Sequence, residues 1–201
     1  LQITSNLLQK TAALIKADLL SQMVYEFTSL QGIMGREYAL AQGEDPRTAN
    51  AIYEHYLPRH AKDEIPQDPS QLGTIFALAD KMDTIVGMFD LGLLPTGDKD
   101  PYSLRRNMLG IIRIIRESLF PLNLMALVKY SMTSTADSAL ECTIKQFATD
   151  RLKQLYKDEG YPTLLFNAAL STDSEGLLNL HQLNKNIQIL QTFLTNPKTT
   201  S

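Results

Sequence analysis

Hydrophobic and polar positions alternate along this chain with a helical period. From Asn6 to Tyr25, Leu8, Ala12, Ile15, Leu19 and Met23 recur at steps of four, three, four and four, which predicts one amphipathic helix. Gly32, Gly35 and Gly43 punctuate the next stretch and leave room for a short helix around Arg36 to Ala41. Three later helices share one start signal, Asp45-Pro46, Asp68-Pro69 and Asp100-Pro101. An Asp carboxylate accepts from the unpaired amides of a first turn, and Pro at the first helical position loses no needed donor. Gln71, three residues after Asp68, completes a variant of the capping box.

Leu72, Ile75, Phe76, Ala79, Met82, Val86 and Phe89 form the next helical stripe, and Asp90 to Asp100 reads as a loop. A helix from Pro101 to Glu117 directs Leu104, Met108, Ile111, Ile115 and Leu119 towards a core, and another is predicted from Pro121 to about Tyr130. Ser131 to Thr135 is a small polar connector and the expected domain boundary, dividing residues 1–132 from 133–201. Leu140, Ile144, Phe147, Arg151 and Leu155 mark a long helix that Gly160 ends as a left-handed cap, with Pro162 soon after. Two further helices are predicted near Pro162–Leu170 and Glu175–Thr195. With no strand alternation and no repeat, the predicted class is all-α.

Composition narrows the function. At 201 residues, 44% hydrophobic and 20% charged, the chain can bury a substantial core. Its longest uncharged stretch, Gly160 to Thr172, is too short for a transmembrane helix. The amino terminus has neither an initiator Met nor signal-peptide character, so the expectation is a fragment of a longer polypeptide. A single cysteine, Cys142, excludes an internal disulfide and fits a reducing cytosol. A formal charge of −3 gives no global pull towards nucleic acid, so any such contact is local.

Several polar groups are candidates for chemistry. His55 and His60 do not share the i, i+4 face of a paired-His metal motif, and His181 stands alone; structural histidines are the simpler reading. Asp80 and Asp83 lie three apart on one side of a predicted helix, a spacing that could hold a metal or share a proton but more often marks a solvated or Arg-paired face. Asp18 reads first as a surface ion-pair partner. On the helix after Pro101, Arg105, Arg106, Arg113 and Arg116 fall within about a 100° arc and form a basic ridge suited to phosphate or to carboxylate partners. No Walker loop, nucleophile elbow or dinucleotide fingerprint is present.

Residues 16–20 (Lys-Ala-Asp-Leu-Leu) and 30–39, from Leu30-Gln31-Gly32 to Arg36-Glu37-Tyr38-Ala39, resemble the β subunit of bacterial-type heterotetrameric glycyl-tRNA synthetase. Four more blocks follow in that family's order: residues 54–59 (Glu-His-Tyr-Leu-Pro-Arg), 77–84 (Ala-Leu-Ala-Asp-Lys-Met-Asp-Thr), 95–101 (Pro-Thr-Gly-Asp-Lys-Asp-Pro) and Leu104-Arg105-Arg106. Asp150-Arg151-Leu152 and Asp158-Glu159-Gly160-Tyr161 resemble the start of its helical anticodon-binding region. The resemblance implies an HD-domain-like helical bundle followed by a second, smaller helical segment. It also implies tRNA(Gly) and an α subunit, or a fused α region, as partners, a cytoplasmic location, and no membrane. ATP and Mg are implied for the whole enzyme and no cofactor for this part of it.

Members of the HD superfamily are metal-dependent phosphohydrolases carrying a His, a His-Asp dipeptide and a distant Asp. By that resemblance Asp18 takes the dipeptide Asp position and Asp80 the distant one, but Lys16 and Ala17 stand where the imidazole belongs. Asp18, His55, Asp80 and Asp83 are therefore expected to be a degenerate site without metal and without catalytic residues. The leading expectation is a tRNA-engaging part of a glycine–tRNA ligase, with Arg36, Arg59, Lys99, Arg105 and Arg106 on phosphates and the ligation chemistry elsewhere. The alternatives are an active phosphohydrolase using Asp18, His55, Asp80 and Asp83, and an architectural module holding β against α.

Overall fold

A buried carboxylate interrupts the first predicted helix. In the computed structural model, which describes residues 3–97, 99–117, 122–132, 138–173 and 179–195, helix α1 covers Ser5–Leu14 and stops. A 3-10 turn at Ala17–Leu20 then carries Asp18 inward, and α2 restarts at Gln22–Glu26. Ser21 makes the restart: its hydroxyl donates to the Asp18 carbonyl at 2.7 Å and accepts from the Val24 amide at 3.3 Å. The single helix from Asn6 to Tyr25 is thus corrected to three short elements. The buried positions are Leu7, Thr11, Asp18 and Val24 rather than the predicted stripe, and the Thr11 and Thr48 hydroxyls pair at 2.9 Å inside the core.

Helix α3 (Ile33–Ala41) begins after Gly32, whose φ of 78° only glycine adopts without strain. Helix α4 (Pro46–Glu54) starts as the Asp-Pro signal predicts, with Asp45 Oδ1 accepting from the Arg47 amide at 2.9 Å. The other two signals act earlier in the chain than their helices. Asp68 accepts from the Ser70 amide and the Asn50 side chain, closing a turn before α5 (Leu72–Asp90). Asp100 accepts from the Leu104 and Arg105 amides at 2.8 and 3.0 Å, capping α6 (Leu104–Glu117) across an intervening turn in which Ser103 has a φ of 55°.

Helices α7 (Leu124–Ser131), α8 (Ser138–Asp158), α9 (Thr163–Leu170) and α10 (Leu180–Thr195) complete the described chain. Gly160, at φ 90°, ends α8 as predicted, with the Tyr161 amide returning to the Tyr156 carbonyl at 2.9 Å. The described residues form no sheet, only an isolated bridge between Thr96 and Lys99, and the class is all-α. Leu119, the helix start at Pro121, Asp98 of the loop, residues 133–135 of the connector and the start at Glu175 lie outside the described residues.

Contacts divide the chain into Leu1–Lys81 and Met82–Ser201, a boundary inside α5. In the first unit α4 packs on α1 and α3, and Leu7, Ala51 and Leu72 form a core cluster. In the second, α8 packs on α6, α7 and α9, α10 packs on α6 and α9, and Leu104, Met108, Ile111 and Ile115 are buried as their periodicity predicts. No helix among the described residues is long and apolar enough to cross a membrane.

Candidate functional site

In the first unit Asp18 is 3% exposed, not the surface residue its polarity suggests. Both carboxylate oxygens are taken: Oδ2 accepts from the Gly32 amide at 2.6 Å, and Oδ1 from the Tyr56 hydroxyl at 3.1 Å. Lys16, displaced from the helical path by the 3-10 turn, pairs its ammonium with Asp80 on α5. The next residue, Lys81, is buried and donates to the main-chain carbonyl of His55 at 3.0 Å.

His55 is fully buried beside Tyr56, ring centroids 3.8 Å apart. Its Nδ1 lies 2.9 Å from the Ile52 carbonyl, which only accepts, so Nδ1 carries the proton and Nε2 a lone pair with no hydrogen-bond partner among the described residues. Burial lowers its pKa to about 4 against the opposing pull of Asp80, so the ring is neutral at pH 7. Burial beside the carboxylates of Asp18 and Asp80 likewise holds the Tyr56 phenol protonated. Asp18, His55 and Asp80 thus gather around Tyr56. Asp83 lies one turn further along α5 and is exposed.

This arrangement is poorly suited to holding a divalent cation. A neutral His55 Nε2 could ligate one, but Asp18 is spent on internal donors and Asp80 on an ammonium. Among the described residues no group of three or more His, Cys, Asp and Glu is placed to hold a metal. The cavity beside Asp18, bounded by Leu14, Tyr38, Gln42, Glu44 and Ile52, measures about 140 Å³. Small-molecule sites run to roughly 300–1,000 Å³.

The basic candidates fall into two groups. In the first unit Arg36 on α3 and Arg59 beyond α4 both approach the ring of Tyr53, their guanidinium carbons 4.9 and 5.5 Å from its centroid. Arg59 also donates to the Gln31 carbonyl at 3.0 Å. In the second unit Arg105 donates to the Gly97 carbonyl at 2.6 Å and Arg106 to the Ser103 hydroxyl at 2.6 Å, while Lys99 is exposed on the same loop. The helical ridge is split. The Arg113 side chain is 13% exposed and pairs with Glu117 at 3.0 Å; Arg116, 16% exposed, pairs with Glu159 at 2.7 Å above the Tyr156 ring. Arg113 thus pairs within α6, and Arg116 ties α6 to the residue after α8.

The sequence did not single out Tyr53, Tyr56, Lys81 or Glu54. Glu54, at 8% exposure, has Oε1 accepting from the Gln67 and Asp68 amides, both at 2.8 Å, and burial raises its pKa. Tyr56 and Glu54 flank His55 in one block, but only the fold gives each its partner.

The glycyl-tRNA synthetase beta subunit family model matches residues 1–171. The glycine–tRNA ligase beta subunit of Syntrophus aciditrophicus is 42% identical over 199 residues, covering 96% of this chain and 28% of its own. That of Polaromonas naphthalenivorans is 46% identical over 170 residues, covering 84% and 24%, and that of Gloeothece citriformis 41% over 203 residues, covering 95% and 28%. The chain spans about a quarter of the length of these curated relatives. With a match over most of its residues, the chain belongs to the glycyl-tRNA synthetase beta subunit family.

Proposed function

We propose that this chain is a tRNA-engaging part of a glycine–tRNA ligase and contributes no catalytic residue of its own. The observation that carries the reading is the state of its charged groups. Asp18 and Asp80, the groups with chemical potential, are satisfied internally, whereas Arg36, Arg59, Arg105 and Arg106 are anchored by neutral acceptors or an adjacent surface acid. A guanidinium tied to a carbonyl or hydroxyl keeps its charge and most of its donors for phosphate oxygens. With Lys99, these residues would hold the RNA backbone and fix its register without reading bases.

Adenylation and glycyl transfer then belong to other parts of the enzyme, as do ATP and Mg. The partners in this reading are tRNA(Gly) and the α subunit or fused α region, and the setting is the cytoplasm. The HD-like phosphohydrolase reading is disfavoured by Lys16 on Asp80 and by the internal donor on each Asp18 oxygen. An architectural role is favoured by one observation, the exposed apolar run of Leu20, Tyr25 and Phe27, at 92%, 78% and 59%.

The test is Arg105→Gln with Arg106→Gln in the full-length β chain assembled with α. Weaker tRNA(Gly) binding, with a salt dependence shallower by one to two phosphate contacts, supports the reading; unchanged affinity and slope remove these residues from it. A footprint of tRNA on the assembled enzyme separates RNA contact from α–β contact.

A further inference from the structure

We propose that Arg36 and Arg59 act as one phosphodiester-binding site and that Tyr53, between them on α4, is the positioning residue that sets their spacing. This rests on the tRNA-engaging reading above and gives it a defined site in the first unit. Three elements converge there: α3 supplies Arg36, α4 supplies Tyr53, and the segment after α4 supplies Arg59. Both guanidinium carbons lie within 5.5 Å of one ring centroid, so the two positive charges are within about 10 Å of each other.

At that separation water and salt leave little repulsion, and cation–π contact with the ring adds attraction for each guanidinium. The local acids do not bridge them. Asp63 accepts from the Arg59 main-chain amide at 2.8 Å and from the Glu64 amide at 3.1 Å, and Glu64 receives the Tyr53 hydroxyl at 3.4 Å. Glu37 contacts Arg36 through Nε, at 3.1 Å, and is its half-exposed sequence neighbour, a pairing that neutralises little. Among the described residues Arg59 makes no ion pair within 4 Å, and its Nη2 contact is to the neutral Gln31 carbonyl.

The ring holds both guanidinium groups by cation–π contact while in-plane donors of each stay available. Such donors suit the oxygens of a phosphodiester, and the separation keeps both on one short stretch of a single strand. A carboxylate-bearing protein would meet the same cations, and the transcript titration tells the two apart.

The experiment uses full-length β assembled with α, and a tRNA(Gly) transcript titrated at several salt concentrations. Arg36→Gln and Arg59→Gln are each expected to weaken binding about 3- to 10-fold and to lower the salt slope by about 0.7–0.9. Tyr53→Phe, which keeps the ring, is expected to bind as the parent does. Tyr53→Leu changes no charge, yet should weaken binding severalfold and shrink the further effect of Arg36→Gln to less than half. Parent-like affinity for Tyr53→Leu, or equal damage from Tyr53→Phe, overturns the positioning role. Should Tyr53→Leu fail to fold, the double Arg36→Gln, Arg59→Gln variant decides: less loss than the product of the single effects supports one site, and full additivity overturns it. If Arg105→Gln with Arg106→Gln lowers the slope and the Arg36 and Arg59 variants do not, this site fails while the tRNA reading stands. If neither set alters binding, that reading fails with it. Displacement of the transcript by inorganic phosphate beyond the matched ionic-strength effect would mark a free-anion site and overturn the assignment to RNA.

Discussion

The Gly32 amide donates to Asp18 Oδ2 at 2.6 Å, joining the 3-10 turn after α1 to the residue that precedes α3. The contact gives the inward-turned Asp18 an internal donor at the break after α1, and Gly32 has a positive φ at the same point. With Tyr56 on the other oxygen, the carboxylate is a structural hub.

Replacing that hub leaves two donors without an acceptor in the interior. Asp18→Ala is expected to lower unfolding stability by about 3 kcal/mol, and Asp18→Asn, which keeps one acceptor, by about 1 kcal/mol. Urea unfolding midpoints of the two variants check the order; losses near zero in both would mean that the contacts to Gly32 and Tyr56 carry no stability, and equal large losses that the second carboxylate oxygen is required.

Buried His55 gives a pH dependence of defined sign. Its folded pKa, depressed to about 4 chiefly by burial, lies below the ordinary 6.5, so the unfolded chain takes up the proton first. The stability linked to this ring is present above about pH 6.5 and lost as pH falls towards about 4, on the order of 3 kcal/mol in all. Asp80, Lys16 and Lys81 are the charged groups that act on it. His55→Asn keeps a donor for the Ile52 carbonyl and should flatten the loss between pH 7 and pH 4.5, read by denaturant titration at both values.

Two glycines of α5 should respond oppositely to alanine. A methyl on Gly73 would meet Glu54 Cβ at 2.5 Å and also its Oε2, whereas among the described residues nothing lies within 4 Å of one on Gly87. Gly73→Ala is expected to cost about 1–3 kcal/mol through overpacking. Gly87→Ala should gain roughly 0.5–1 kcal/mol, since alanine restricts the unfolded chain and suits a helix. Thermal melts of the pair, compared with the parent, provide the check.

The arginines of α6 should separate by role. Arg116→Gln removes the pairing with Glu159 and the stacking on Tyr156, and is expected to destabilise by about 1–3 kcal/mol while leaving the salt dependence of tRNA binding unchanged. Arg106→Gln, on the exposed side, should leave the melting temperature within about a degree and lower that salt slope. The reverse pattern would exchange the two assignments.

Much of the helical framework was legible in the sequence because local physics writes it there. The stripe Leu104, Met108, Ile111, Ile115 is buried where its period puts it, Asp45-Pro46 caps α4, and Gly160 ends α8. Family membership was legible too, in short blocks such as Glu54 to Arg59, and the family model matches residues 1–171. What tertiary structure alone decided is where the charges go. Nothing local says that Asp18 turns inward to an amide fourteen residues away, that Lys16 neutralises Asp80, or that Arg116 is consumed by Glu159 while Arg106 is not. Periodicity records which face of an element is apolar. The partner of a charge is set by which distant backbone or side-chain groups the fold brings within about 3 Å of it, and that distance exists only once the helices have packed.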